Sequence, residues 1–333
     1  MKKLFALVLV LCLAFGLAAC GDTSTQDSPS PSMEGEEDDQ ILLPAIGFSA
    51  AGQGGLEDAF LEAAEEAATQ AGYELIALDA GMNPEKQVED IHSLLAQGVE
   101  ALILNPADVD SLQEVLEECS LTGVKVINIL TPVNGVVDSL IAPNYELIGQ
   151  KGAKLAVEAA KDYDYQASRV YLLEEEVDSF LMQWVHDSFV RQAEEAENVA
   201  ILGASHFNRD EWATLPDLEP EILEGVNTIF AQNEEIARAA LAFCLENDRK
   251  PSIICVGGSR KTLEMVRDKQ LYATIFYGPE ELASLAVGEA IQCAQDDTYE
   301  PPEYIELPLG VASESSVEGY LAQNAAYAEA VES

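Results

Sequence analysis

Ala101-Leu102-Ile103-Leu104-Asn105-Pro106-Ala107-Asp108 sets four consecutive apolar residues against an abrupt stop made of an amide, a proline and a carboxylate. An apolar run without polar alternation reads as a strand buried on both faces, and a proline directly after it bars the ladder from continuing. Gly98 closes a helical pattern over 84–97 just upstream, so the stretch belongs to a repeating helix, strand and turn unit. The same rhythm extends in both directions. Strands are expected at 45–49, 74–79, 101–105 and 124–130, with helices at 56–71, 84–97 and 109–121 between them. Helix 56–71 carries Phe60, Ala63, Ala64, Ala67 and Ala68 on one stripe, suited to lying on a sheet. The second half repeats the theme with strands at 169–173, 199–205, 228–231, 252–256 and 273–277, and helices such as 179–195 and 234–247. This alternation predicts an α/β fold of two lobes, each a parallel sheet flanked by helices, with the carboxyl ends of the strands facing each other across a cleft.

The N-terminus carries different information. Lys2 and Lys3 precede an almost wholly apolar stretch that ends Leu17-Ala18-Ala19-Cys20, the layout of a bacterial lipoprotein signal cleaved before Cys20. Residues 1–19 are therefore expected to be removed and Cys20 to be acylated, anchoring the chain to the outer face of a plasma membrane by lipid rather than by a spanning helix. Residues 20–42, rich in Ser, Pro, Thr and acidic side chains, have nothing to bury and are expected to be a disordered tether. With 17 basic against 60 acidic residues the formal net charge is −43, and loss of Lys2 and Lys3 makes it more negative still. Such a surface is repelled by phosphate backbones, which excludes nucleic acid as a partner. Cys119, Cys244, Cys255 and Cys293 remain after processing, each in an apolar stretch and none at metal spacing, so buried free thiols are expected, with a disulfide as the alternative.

Ala45-Ile46-Gly47-Phe48, Leu78-Asp79 with Asn83-Pro84, the Asn105-Pro106-Ala107-Asp108 turn, Val124-Lys125-Val126-Ile127 and Phe230-Ala231-Gln232-Asn233-Glu234 follow one another in a recognisable order and spacing. The chain thereby resembles the sugar-binding branch of the type I periplasmic binding proteins, ribose binders among them, which feed ABC importers and chemoreceptors. The resemblance implies a chain that crosses between lobes three times, with an N-terminal lobe of 43–142 plus 278–302 and a C-terminal lobe of 143–277 plus 303–333. It also implies a monomer that captures a small molecule, with an ABC permease as partner and no cofactor or metal. The same fold serves repressors, but here a leader and tether stand where a DNA-binding headpiece would be.

Carried over residue by residue, the family's sugar contacts are partly retained. Phe207 matches a stacking aromatic whose face would cover a sugar ring, the alternative being a core phenylalanine. Asn233 matches a cleft asparagine able to donate and accept at once, and it also suits a helix N-cap before Glu234 and Glu235. The other matching positions are changed: Gly54, Leu56 and Glu57 replace an asparagine and two phenylalanines, Gln183 an arginine, Ser259 an aspartate and Tyr277 a hinge glutamine. Where the family carries an aspartate and arginine that grip vicinal hydroxyls, this chain reads Leu130-Thr131. A simple pentose is therefore expected to bind weakly, and a modified sugar, polyol or nucleoside-like compound better. Glu174-Glu175-Glu176, with Asp178, Trp184 and Tyr277, either lines the cleft as a carboxylate and aromatic wall suited to a nitrogen-rich ligand or forms a solvated loop.

Enzymatic motifs are missing. His92, His186 and His206 are isolated in sequence, Gly257-Gly258-Ser259-Arg260 lacks the nucleophile-elbow pattern, and neither a zinc-protease nor a paired-cysteine motif occurs. The sequence thus predicts a solute receptor rather than an enzyme. A sensory partner of a membrane kinase or chemoreceptor, or a scaffold with a degenerate pocket, are the alternatives.

Overall fold

The computed structural model describes residues 43–52, 55–176 and 180–323, so the leader, Cys20, the tether, Gly54 and Asp178 lie outside the described residues. From the start of that region the chain runs β1 (Ala45–Ala50), α1 (Gly55–Gln70), β2 (Glu74–Asp79), α2 (Pro84–Ala96), β3 (Ala101–Leu104), α3 (Gln113–Thr122), β4 (Lys125–Ile129) and β5 (Ser139–Pro143). It continues with α4 (Tyr145–Asp162), β6 (Ser168–Glu175), α5 (Phe180–Glu194), β7 (Val199–Phe207), β8 (Thr228–Ala231), α6 (Glu234–Glu246), β9 (Ser252–Val256), α7 (Arg260–Arg267) and β10 (Ala273–Phe276). Helix α8 (Pro279–Gln295), strands β11 (Tyr304–Leu307) and β12 (Gly310–Ser313) and helix α9 (Val317–Gln323) complete it.

Local chemistry sets the element ends. Asn83, Asn144, Asn233 and Ser259 each turn a side-chain oxygen onto a backbone N–H in the first turn of α2, α4, α6 and α7, satisfying a donor that has no partner within the helix. Pro84 and Pro279 open α2 and α8, where a missing N–H costs nothing. Gly123 ends α3 at φ 83°, a left-handed conformation that admits glycine without a Cβ penalty.

Two six-stranded sheets result, ordered β11-β5-β4-β3-β1-β2 and β12-β10-β9-β8-β6-β7. Every pairing is parallel except β10 with β12, which is antiparallel. Each sheet is covered on both faces. In the first, Ile46, Phe48 and Ile103 pack with Phe60, Ala64, Ala286 and Val287 on one side, while Leu102, Leu104 and Val126 pack with Ile91, Leu94 and Leu116 on the other. In the second, Ile229, Ala231 and Cys255 face Ile236, Ala240 and Leu263, and Leu172, Phe230 and Ile254 face Ile148, Val185 and Phe189. Double coverage is why these strands read as unbroken apolar runs.

The α/β class with two parallel-dominated sheets is as the sequence predicts, with three strands added. Strands β5, β11 and β12 had no clear apolar run of their own. Sheet membership moves the last lobe crossing: β11 pairs with β5 in the first sheet, so residues 304–307 belong there and not to the second lobe beginning at 303. The crossing falls at Pro308 and Leu309, between β11 and β12. Helix 109–121 also begins late, at Gln113, because the Asp108 carboxylate takes the N–H groups of Asp110 and Ser111 and holds the entry as a turn. The four cysteines are buried and free, which rules out the disulfide alternative, and burial pushes the Cys119, Cys244 and Cys293 thiols up to about 11.

Candidate ligand-binding cleft

The side chains and turns at the carboxyl ends of the parallel strands are bonded as follows. In the first lobe two buried amides shape them. Gln87 on α2 donates through Nε2 to the Asn105 carbonyl at 2.8 Å and to Ser49 Oγ at 3.1 Å, and accepts the Ala107 N–H at 2.7 Å. That one side chain ties the ends of β1 and β3 together and holds the Asn-Pro-Ala-Asp turn. Asn128 on β4 donates to the carbonyls of Leu104 and Thr131, both at 3.1 Å, and accepts from the Val133 N–H. It thereby folds the chain back after Leu130, which sits at φ 62°, a strained conformation for leucine. Leu130 is buried and Thr131 half-buried, and neither brings a charge to this corner.

In the second lobe the ends of β6, β7 and β8 are coupled. Gln232 accepts the Glu175 N–H at 3.1 Å and donates to Glu174 Oε1 at 3.0 Å, while Asn233 donates to Glu175 Oε1 at 3.0 Å and caps α6 by accepting the Ile236 N–H at 2.8 Å. Asn233 is thus the helix cap, and its amide is bonded to Glu175 at the end of β6. Glu174 is 1% exposed, Glu175 half-buried and Glu176 exposed. The solvated-loop reading of this run is therefore corrected, because β6 continues through Glu175 in register with β7.

The buried Glu174 carboxylate also faces His186 Nδ1 at 2.9 Å and His206 Nε2 at 3.2 Å. Histidines isolated in sequence are brought together by β6, α5 and β7. The hydrogen bond to Glu174 raises the His186 pKa above its ordinary value against the opposing effect of burial. His92 lies apart on α2, exposed and paired with Glu118.

Tyr277 joins β10 of the second sheet to α8, which packs on the first. Its phenol is pushed well above the ordinary tyrosine range by burial, and then by Tyr145, Glu57, Glu175 and Glu234 around it. Tyr145 is raised in the same way by burial and by Glu175, and its hydroxyl donates weakly to the Leu130 carbonyl at 3.4 Å. Burial likewise raises the Glu175 carboxyl, while the Asn233 amide and the Arg209 charge pull it back. Arg209 spans the lobes, its Nη1 lying 3.4 Å from Met82 Sδ and its guanidinium 5.7 Å from the Trp212 ring centre.

The remaining candidates are placed as follows. Phe207 is 2% exposed and packs with Leu215, Leu218 and Leu223 beneath the end of β7, its carbonyl accepting from Trp212 Nε1 at 3.0 Å. Leu56 packs on the first-lobe core and Glu57 is half-buried. Ser259 gives its N–H at 2.7 Å and its Oγ at 2.5 Å to Glu234, which also faces Arg238 at 3.4 Å. Gln183 is exposed and spends its amide on Asp187, one turn along α5. Trp184 is also exposed, edge-to-face with Phe180 at 5.2 Å. Tyr145, Gln87 and Glu234 were missed: the first two look like ordinary helix residues, and only the position of Glu234 directly after Asn233 hinted at its place.

Two helix-flanked, mostly parallel six-stranded sheets in one chain are the architecture of the two-lobed α/β binding proteins. Residues 46–297 match the periplasmic binding protein domain family, and the chain belongs to it. It is 27% identical over 298 residues to the ribose import binding protein RbsB of Bacillus subtilis, covering 87% of this chain and 92% of that protein. Among solved structures, it is similar to a periplasmic solute binding protein of Actinobacillus succinogenes with bound D-allose, at TM-score 0.74 and 18% identity over 83% of this chain and all of the other. It also resembles a Bacillus halodurans solute binding protein with bound myo-inositol, at TM-score 0.71 and 20% identity over 84% and 98%.

Proposed function

We propose that this chain is a lipid-anchored extracytoplasmic receptor that captures a small polar, sugar-like ligand in the interlobe cleft and delivers it to an ABC importer. The reading is supported by family membership, by the Asn233 bond to Glu175, and by first-lobe Glu57 and second-lobe Tyr145 and Glu175 lying near enough to Tyr277 for their charges to act on its phenol. Tyrosine rings cover apolar ring faces while carboxylates and amides take hydroxyls, the combination a small polar ligand needs. A relative named for ribose import and neighbours holding allose and inositol support it too. The anchor rests on Leu17-Ala18-Ala19-Cys20, and no helix among the described residues is long and apolar enough to cross a membrane.

In this reading the lobes are 43–143 plus 278–307, and 144–277 plus 308–323. The contact set is Glu57, Thr131, Tyr145, Glu175, Asn233 and Tyr277, with Phe207 supporting the end of β7 and Ser259 holding Glu234. Ribose binds weakly because Leu130-Thr131 supplies neither carboxylate nor guanidinium. The test is a thermal-shift panel of neutral and amine-bearing sugars and polyols, with small-angle scattering on any that respond. A true ligand at about 100 times its dissociation constant adds roughly 2.7 kcal/mol of stability and lowers the radius of gyration as the lobes close. Silence across the panel, or binding without compaction, refutes capture by closure.

A further inference from the structure

The charge balance of the cleft is uneven. Glu234 is neutralised: it accepts two hydrogen bonds from Ser259 and pairs with Arg238. Among the described residues, Arg209 is the cation that acts on Glu175, and it is turned toward Met82 Sδ and the Trp212 ring. No ion pair among the described residues includes Glu57 or Glu175. The Glu175 carboxylate is half-buried, and among the described residues Asn233 is its one side-chain donor, reaching Oε1 only. A carboxylate withdrawn from water is costly to keep ionised without a cation or several donors.

The geometry around it favours a cation. Its one side-chain donor, Asn233, occupies Oε1 and leaves Oε2 without a hydrogen bond among the described residues, while Tyr145 and Tyr277 lie near enough for the Glu175 charge to act on both phenols. The backbone of Glu175 is held by Gln232 and its carboxylate by Asn233, so the group is fixed before a ligand arrives. An ammonium there would gain a charge-assisted hydrogen bond, stronger than the bond a hydroxyl makes at the same oxygen.

Resting on the receptor reading above, we infer that the cleft selects a polyhydroxylated ligand bearing a protonated nitrogen, an amino sugar or a related amine, seated on the Glu175 carboxylate. Thr131, half-buried after β4, brings no charge that would oppose such a cation. Glu57, contributed by the first lobe, lies near enough to Tyr277 for its charge to act on that phenol, and it would add a second negative charge on closure.

Calorimetry on the mature full-length protein tests this with matched probes: D-glucosamine against D-glucose, D-galactosamine against D-galactose, and N-acetyl-D-glucosamine as an uncharged nitrogen control. In at least one pair the amine binds tenfold or more tighter than its neutral partner, and Glu175→Gln removes most of that preference. Circular dichroism confirms that the variant folds, and the wild-type comparison stands without it. Neutral sugars binding within threefold of their amines, or a preference unchanged in Glu175→Gln, overturns this inference and leaves sugar capture standing. Silence from every probe, together with silence across the wider panel above, overturns the capture reading and this inference with it.

Discussion

Glu174→Gln is the most revealing stability test, because it keeps the shape of the side chain while removing the charge that His186 and His206 face. The carboxylate is 2% exposed and has three donors. A hydrogen bond to a buried charged group contributes about 1.5–3 kcal/mol, which applies to His186, whose side chain is 29% exposed. His206 is 45% exposed, so solvent screening reduces its share to about 0–1 kcal/mol. Gln232 can keep its bond to the remaining oxygen. The expected loss is therefore about 1.5–4 kcal/mol in acidic solution. Because the folded pKa of His186 is raised, its charged pairing contributes fully below the unfolded value of about 6.5 and fades as pH rises through the folded value. Urea unfolding of both proteins at about pH 6 and about pH 9 should thus show a larger deficit at the lower pH. An equal deficit at both values would mean that the histidine charge plays no part, and no deficit at all would refute the network.

Three further outcomes are expected. Phe207→Ala should lower stability by about 3–5 kcal/mol, the cost of emptying a core aromatic site, seen as an earlier urea midpoint whether or not ligand is present; a change in affinity without a change in stability would place the ring in the cleft instead. Asn233→Ala should cost about 0.5–2 kcal/mol through the lost cap of α6 and weaken ligand binding as Glu175 loses its donor, both measurable by thermal shift. Cys20→Ser should abolish partitioning into detergent on phase separation, and an unchanged distribution would exclude the lipid anchor.

The fold was legible wherever a strand is covered on both faces. Ala101-Leu102-Ile103-Leu104 and Ile253-Ile254-Cys255 are apolar throughout because each lies inside a sheet. Edge and near-edge strands were harder to read. β11 is Tyr-Ile-Glu-Leu with two exposed residues, and β12 is four small or apolar residues beginning with glycine, so neither departs from the composition of a loop. The site was legible only in part, because its chemistry is made by tertiary contact. Asn233 announced itself by standing at a strand end and a helix start together. The gathering of His186, His206 and Glu174 could not be read, since the participants are separated by a helix and a strand and each looks like a surface residue alone. Gln87 likewise sits among charged helix residues, and only packing against β1 and β3 makes it a brace.

The placement of β11 and β12 bears on how the chain is made. Tyr304 reaches back to the Ala142 carbonyl, 162 positions earlier, and α8 completes a core begun by Phe48 and Phe60. The first lobe therefore cannot finish until the strands of the second have been synthesised, and the second lacks its edge strand until β12 follows. Neither half can fold to completion as it leaves the ribosome. Such long-range closure slows folding, which leaves the new chain open for longer, the condition in which a polypeptide bound for export can still be threaded across a membrane.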